Sequence, residues 1–167
     1  MKKIISLSLL VLLVVSLLVS CGSNVPRPEI KEGRFDYSVA YEMNGETKTV
    51  SGVYVCEFAG VDWSRDSGYT RDWNGYIEGG SADDRVELGT TEDGGKIILE
   101  LGLNAPYFMA DPGFVGLETP APMLIIDYIN DETGEVRFIK DADEIATGYG
   151  VKIVGYEYAA PVNNTYN

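Results

Sequence analysis

Four aromatic residues, Trp63, Tyr69, Trp73 and Tyr76, fall close together and alternate with Asp62, Arg65, Asp66, Arg71 and Asp72. Flat ring faces beside planar hydrogen-bonding groups suit a sugar-binding cleft, where rings stack on apolar sugar faces and polar side chains read the hydroxyls. Trp and Tyr are also favoured anchors at protein interfaces. The competing reading is packing, with Trp73 and Tyr76 in a core and Trp63 closing a hairpin. Alternation puts Trp73, Gly75 and Ile77 on one face of a strand and Tyr76 on the other. Core, protein interface and sugar platform are taken in that order, and the four aromatics stand as the candidate ligand-binding residues.

A second group is acidic: Asp83-Asp84, Glu92-Asp93, Asp131-Glu132 and Asp141 with Asp143 and Glu144. Carboxylates in glycine-bearing turns can hold calcium, but none of these follows the alternating spacing of an EF-hand loop. Asp141-Ala142-Asp143 comes nearest and reads better as a helix cap. No metal site and no cofactor are expected. A glycosidase would need two acids about 5 to 9.5 Å apart in a cleft, and the sequence singles out no such pair. The chain has no histidine, which removes the commonest general base and metal ligand. G-x-S-x-G, S-x-x-K and the phosphate-binding G-x-x-x-x-G-K-[ST] pattern are absent. The expectation is a protein that is not an enzyme, with paired-carboxylate catalysis as the alternative.

The amino terminus carries an address. Lys2 and Lys3 precede an apolar and serine run from Ile4 to Val19, with Ser20 before Cys21. This is the layout of an export signal. Leu18-Val19-Ser20-Cys21 resembles the lipobox of bacterial lipoproteins. The resemblance implies diacylglycerol on the Cys21 sulfur, cleavage before Cys21 and a further acyl chain, such as palmitate, on the new amino terminus. Two or more chains anchor stably where one is marginal. An uncleaved transmembrane anchor would need about 20 apolar residues, more than this run supplies.

Losing Lys2 and Lys3 with the signal leaves 11 basic against 26 acidic residues, a net charge of −15. That balance repels nucleic acid and anionic lipid and keeps a tethered domain soluble. Cys56 has no partner once Cys21 is lipidated, so no disulfide framework exists and Cys56 reads as a small buried hydrophobe.

Residues 22–33, with Pro26 and Pro28 among charges, show no period and read as a tether. Phe35 to Met43 alternates as a half-buried strand. Asn44-Gly45 then calls for a two-residue type I′ hairpin, which pairs Phe35 with Tyr54, Tyr37 with Gly52 and Val39 with Val50. The returning strand runs Glu46 to Phe58, with turns at Gly60, Gly68 and Gly75 and a third strand over Asp72 to Glu78. Two further hairpins are expected, around Thr90–Gly95 and around Asn130–Gly134. Between them, Asn104 to Pro122 holds four prolines. Its Pro106-Tyr107-Phe108-Met109 and Phe114 to Leu117 segments form either an exposed contact patch or, preferably, a lid over an open end. Asp141 caps a short helix ending at Gly148, and Val151 to Tyr158 is the last strand. The closing Asn163-Asn164-Thr165-Tyr166-Asn167 reads as frayed.

The fold class is therefore all-β: a single antiparallel sandwich or barrel-like domain with one short helix before the last strand. The chain divides into a signal peptide (1–20), a lipidated tether (21–34), the β domain (35–160) and a tail (161–167). NGETKTV, VCEFAGVDW, TRDWNGYIE and DADEIATGYGVKIVGYEYAAPVNN resemble a set of small bacterial surface lipoproteins, familiar mainly from Gram-positive gut anaerobes, that carry no assigned activity. The similarity covers most of Phe35 to Asn164 and implies no catalytic residue. The expected function is a lipid-anchored envelope protein on the extracytoplasmic face of the cell membrane. There it would be a non-catalytic binding or accessory module for a protein or glycan, and not for nucleic acid.

Overall fold

The computed structural model describes residues 25–80, 84–114, 119–130 and 135–167. The expected export signal and Cys21, the acidic residues Asp83, Asp131 and Glu132, and Val115 to Leu117 lie outside the described residues.

The first hairpin forms as its turn residues dictate. Strands β1 (Glu32–Met43) and β2 (Glu46–Ser64) meet at Asn44 and Gly45, with φ of 56° and 78°, the positive values of a type I′ turn. Phe35 faces Tyr54, Tyr37 faces Gly52 and Val39 faces Val50. β2 does not stop at Phe58 but continues to Ser64, because Gly60 is not a turn. It sits at a bulge between Phe58 and Gly60, with φ of 133°, and the ladder resumes beyond it. The third strand accordingly starts earlier than alternation suggests: β3 spans Gly68–Ile77.

Strands β4 (Arg85–Thr90) and β5 (Lys96–Glu100) are followed by a four-residue helix α1 (Ala105–Phe108) and a 3-10 turn (Pro112–Phe114). Next come β6 (Met123–Asn130), β7 (Glu135–Ile139), helix α2 (Ala142–Tyr149) and β8 (Val151–Tyr158). Asp141 caps α2 by accepting from the Glu144 amide at 2.8 Å. The helix passes Gly148 and is capped two residues later than expected, at Gly150, where φ is 66°. A left-handed C-terminal residue of this kind is where glycine is favoured.

The two sheets are antiparallel, ordered β3-β2-β1-β8 and β4-β5-β6-β7, and one of them curls into a half-barrel. The ladders are interrupted at Phe58/Gly60, Ala40/Tyr41 and Glu87/Gly89. Bulges add local twist and bend their strands, which lets a four-stranded sheet wrap a core. That core joins Phe35, Tyr37, Val39, Tyr41, Tyr54 and Cys56 of one sheet to Ile97, Leu99, Leu124, Ile126 and Ile139 of the other.

The proline-rich segment is a plug more than a lid. Asn104 caps α1 through the Tyr107 amide, and Phe108 enters the core with its ring 4.8 Å from Phe35 and 5.7 Å from Tyr54. Cys56 is fully buried, and burial pushes its thiol up to about 12, as expected of a packing residue. The tail is not frayed. The amides of Arg27 and Asn167 each donate to the other's carbonyl, and Glu29 donates to Thr165, so the segment before β1 and the last residues pair as a short antiparallel bridge.

Close packing leaves a sharp test at Gly75, where a Cβ would lie 1.8 Å from the buried Tyr54 hydroxyl. Gly75→Ala should lose about 1–3 kcal/mol in urea unfolding. Adding Tyr54→Phe should restore part of the loss, and an unchanged midpoint in Gly75→Ala would show the strand free to shift.

Candidate functional site

The four candidate aromatics do not make one platform. Trp63 and Tyr69 are ladder partners across β2 and β3, and both are exposed, at 58% and 52%. Trp73 lies on the same face of β3 but is buried, its ring 5.3 Å edge-on from Phe58. Tyr76 is on the other face, half-buried, donating to Glu57 at 2.9 Å.

What occupies the space between the exposed and buried aromatics is a charged network. Arg71 is only 9% exposed and Asp111 6%. The Asp111 carboxylate accepts from Arg71 Nε (2.8 and 2.9 Å), Arg71 Nη2 (2.5 Å), Trp73 Nε1 (2.7 Å) and the Gly113 amide (2.8 Å). Ala110, with φ of 51°, turns the chain out of α1 so that Asp111 points back at β3. Arg71 also donates from Nη1 to the Pro26 carbonyl at 3.1 Å. Its guanidinium carbon lies 4.7 Å from the centre of the Tyr166 ring, close enough for cation–π attraction. The Tyr166 hydroxyl donates to the Met109 carbonyl at 2.7 Å.

Burial alone would raise the Asp111 carboxyl. Hydrogen bonds from Arg71, Trp73 and Gly113, with the Arg71 charge, outweigh it and hold the group below the usual carboxylate range. Arg71 is raised in turn, first by its bonds to Asp111. Burial, aided by the Asp111 charge, pushes Tyr166 up to about 12. With the carboxylate satisfied by side chains and backbone of its own chain, this network is a latch and not an acid or base waiting for substrate.

A wider opening lies at the other end of β1. A cleft of about 770 Å³ is lined by Met43, Asn44, Thr90 to Asp93, Ile97, Glu144, Gly148 and Tyr149. Three carboxylates, Glu92, Asp93 and Glu144, therefore share it. Asp93 accepts from Thr91 Oγ1 at 2.5 Å and from the Tyr128 hydroxyl at 2.8 Å. With Tyr128's single proton spent on Asp93, the 2.9 Å contact between the Tyr128 and Tyr149 hydroxyls is a donation from Tyr149. These bonds, Thr91's first, hold the Asp93 carboxyl below the usual range. A smaller opening of about 560 Å³ is lined by Tyr107, Tyr156, Tyr158 and neighbouring prolines.

Sequence reasoning noticed Glu92-Asp93 and Glu144 as acidic turns but not that the fold gathers them. It did not single out Tyr128, Tyr149 or Asp111. Among the described residues no cluster of acids and cysteine is placed to hold a metal ion. Comparison with protein-family models, with curated proteins and with solved structures gives no match to this chain.

The latch predicts an acid-sensitive fold. Because the Asp111 carboxyl is lowered in the fold relative to about 3.9 when unfolded, its contribution is complete above the unfolded value. It disappears as pH falls through the folded one. Asp111→Asn leaves Arg71 buried and unpaired and should cost about 3 kcal/mol or more at pH 7. In urea unfolding the gap to the native chain should narrow near pH 3, whereas an equal gap at both pH values would mean that Asp111 is not ionised in the fold.

Proposed function

We propose that this chain is a lipid-anchored protein of the bacterial cell envelope, held on the extracytoplasmic face of the membrane through Cys21. There it acts as a non-catalytic binding or accessory module whose ligand enters the Glu92–Asp93–Glu144 cleft. The anchor rests on the lipobox-like Leu18-Val19-Ser20-Cys21 and on the resemblance to small surface lipoproteins. The single observation that carries the binding role is the position of the cleft. Arg71 holds Pro26 beyond the Glu32 end of β1, whereas the cleft includes Met43 and Asn44 at the opposite end. Twelve strand residues span up to about 40 Å. The cleft thus opens at the end of the domain away from its anchored segment, toward the envelope space.

Its chemistry suits a donor-rich ligand. Glu92, Asp93 and Glu144 supply acceptors, Asn44 and Thr90 mixed polar groups, and Met43, Ile97 and Tyr149 an apolar and aromatic floor. Carboxylates without a basic residue in the lining favour a cationic segment of an envelope protein, and a glycan bearing free amino groups presents the same donors. Catalysis draws less support. Asp93 is held down by its hydrogen bonds, the opposite of the raised carboxyl a general acid needs.

Two measurements test this reading. Fatty-acid labelling of the full chain in a lipid-processing host should be lost in Cys21→Ser, which should accumulate as precursor; labelling that persists would refute the anchor. Binding of the detergent-extracted chain to a lysine-rich peptide and to N-deacetylated glycan should weaken about tenfold, a change of about 1.4 kcal/mol, when Glu92 and Glu144 are both changed to Lys. Equal binding by native and charge-reversed chains would remove the cleft as the site.

A further inference from the structure

β2 is longer than the strand it pairs with. β1 begins at Glu32, opposite Glu57, yet the β2–β3 ladder runs on to Ser64 opposite Gly68. The surplus forms a two-stranded arm that carries Trp63 and Tyr69 side by side near its tip, both more than half exposed. They share the face that carries Arg71, and Tyr69 lies two residues along β3 from it, about 7 Å.

Arg71 is where the anchored segment is held. Its Nη1 donates to the Pro26 carbonyl at 3.1 Å, and Pro26 pins the chain five residues after Cys21. At about 3.3 Å per residue those five residues reach no more than roughly 17 Å. A lipid on Cys21 therefore keeps Pro26, and Arg71 with it, within roughly 17 Å of the membrane surface, near enough for the arm beside them to reach the headgroups. The two exposed side chains at that place are the types that prefer the bilayer–water interface, where an apolar ring body and a polar N–H or O–H are both satisfied. The turn is close to charge-balanced, with Arg65 between Asp62 and Asp66, so the contact rests on the rings and not on attraction to anionic headgroups.

We propose that Trp63 and Tyr69 seat in the headgroup region of the bilayer that holds the Cys21 lipid, giving the domain a second membrane contact that fixes its orientation. This inference rests on the lipid-anchor reading above. It makes the arm a lipid-facing element and leaves the cleft at the far end of β1 for the ligand.

Tryptophan fluorescence tests it directly, since the chain has two Trp and Trp73 is buried against Asp111. The full lipidated chain is reconstituted into phosphatidylcholine vesicles with or without lipids brominated near the headgroup, and intact mass verifies acylation of Cys21. The native chain should lose emission to the brominated lipids and shift to shorter wavelength, while Trp63→Phe should show neither change. Acylated, vesicle-bound protein whose quenching matches that of Trp63→Phe would overturn the second contact and leave the anchor standing. An unmodified Cys21 would overturn the anchor, and this inference with it. Absent quenching with a dimer that Trp63→Phe abolishes would assign the arm to a second copy of the chain.

Discussion

One carboxylate, Asp111, holds together parts of the chain that lie far apart in sequence. It sits after a four-residue helix, yet it fixes Arg71 and Trp73 on β3, and through Arg71 it holds Pro26 and the Tyr166 ring. Both ends of the described chain thus converge on one guanidinium. Removing water from two ions costs several kcal/mol each, and their attraction restores this only when the remaining donors and acceptors are satisfied. Here they largely are: four donor groups reach the carboxylate, and the guanidinium has a carbonyl and a ring face besides. A lysine could not substitute, because only a planar fork can meet a carboxylate, a carbonyl and a ring at once.

Such a pair adds little net stability against a well-packed apolar alternative, but removing one partner strands the other's charge in the interior. An arrangement in which the segment after α1 lay elsewhere would leave Arg71 buried without its carboxylate, a loss far larger than a mispaired surface strand would cause. The short bridge of Pro28 with Tyr166 and the exchanged bonds of Arg27 and Asn167 would be marginal alone, since an isolated two-stranded pairing is barely stable in water. Joined to the latch they become part of the fold. Asn164 reinforces them by exchanging bonds with the Ile30 backbone in both directions.

The sequence was most legible where structure is local. Alternation and the positive-φ pair Asn44-Gly45 specified the register of β1 on β2 residue by residue, because a two-residue turn leaves one pairing. Asp141 declared the start of α2 because a cap needs only the next three residues. Gly60 misled because a bulge and a turn use the same glycine, and what decides between them is whether Val61 and Trp63 find partners across a later strand. The tail was unreadable for a related reason: Asn164 and Tyr166 have no periodicity, and their partners are Ile30, Met109 and Arg71. The gathering of Glu92, Asp93 and Glu144 was hidden too, since a turn and a helix distant in sequence must both fold before the acids meet.

The same asymmetry of strand lengths that gives the arm also separates the two ends of the domain. β2 has 19 residues and β1 has 12, and the hairpin turn between them fixes one end flush at Asn44-Gly45. All of the surplus must therefore appear at the other end, beyond Glu32, where Pro26 is held. A slip of β2 to shorten the arm would flip Tyr54 and Cys56 out of the core, so the overhang cannot relax. Trp63 and Tyr69 are thus exposed by the packing of residues at the far side of the sheet, and the flush end keeps an opening bordered by Met43, Ile97 and Tyr149. A single register, set by two turn residues and a buried face, puts exposed rings at the end of the domain where Pro26 is held and a cleft at the other.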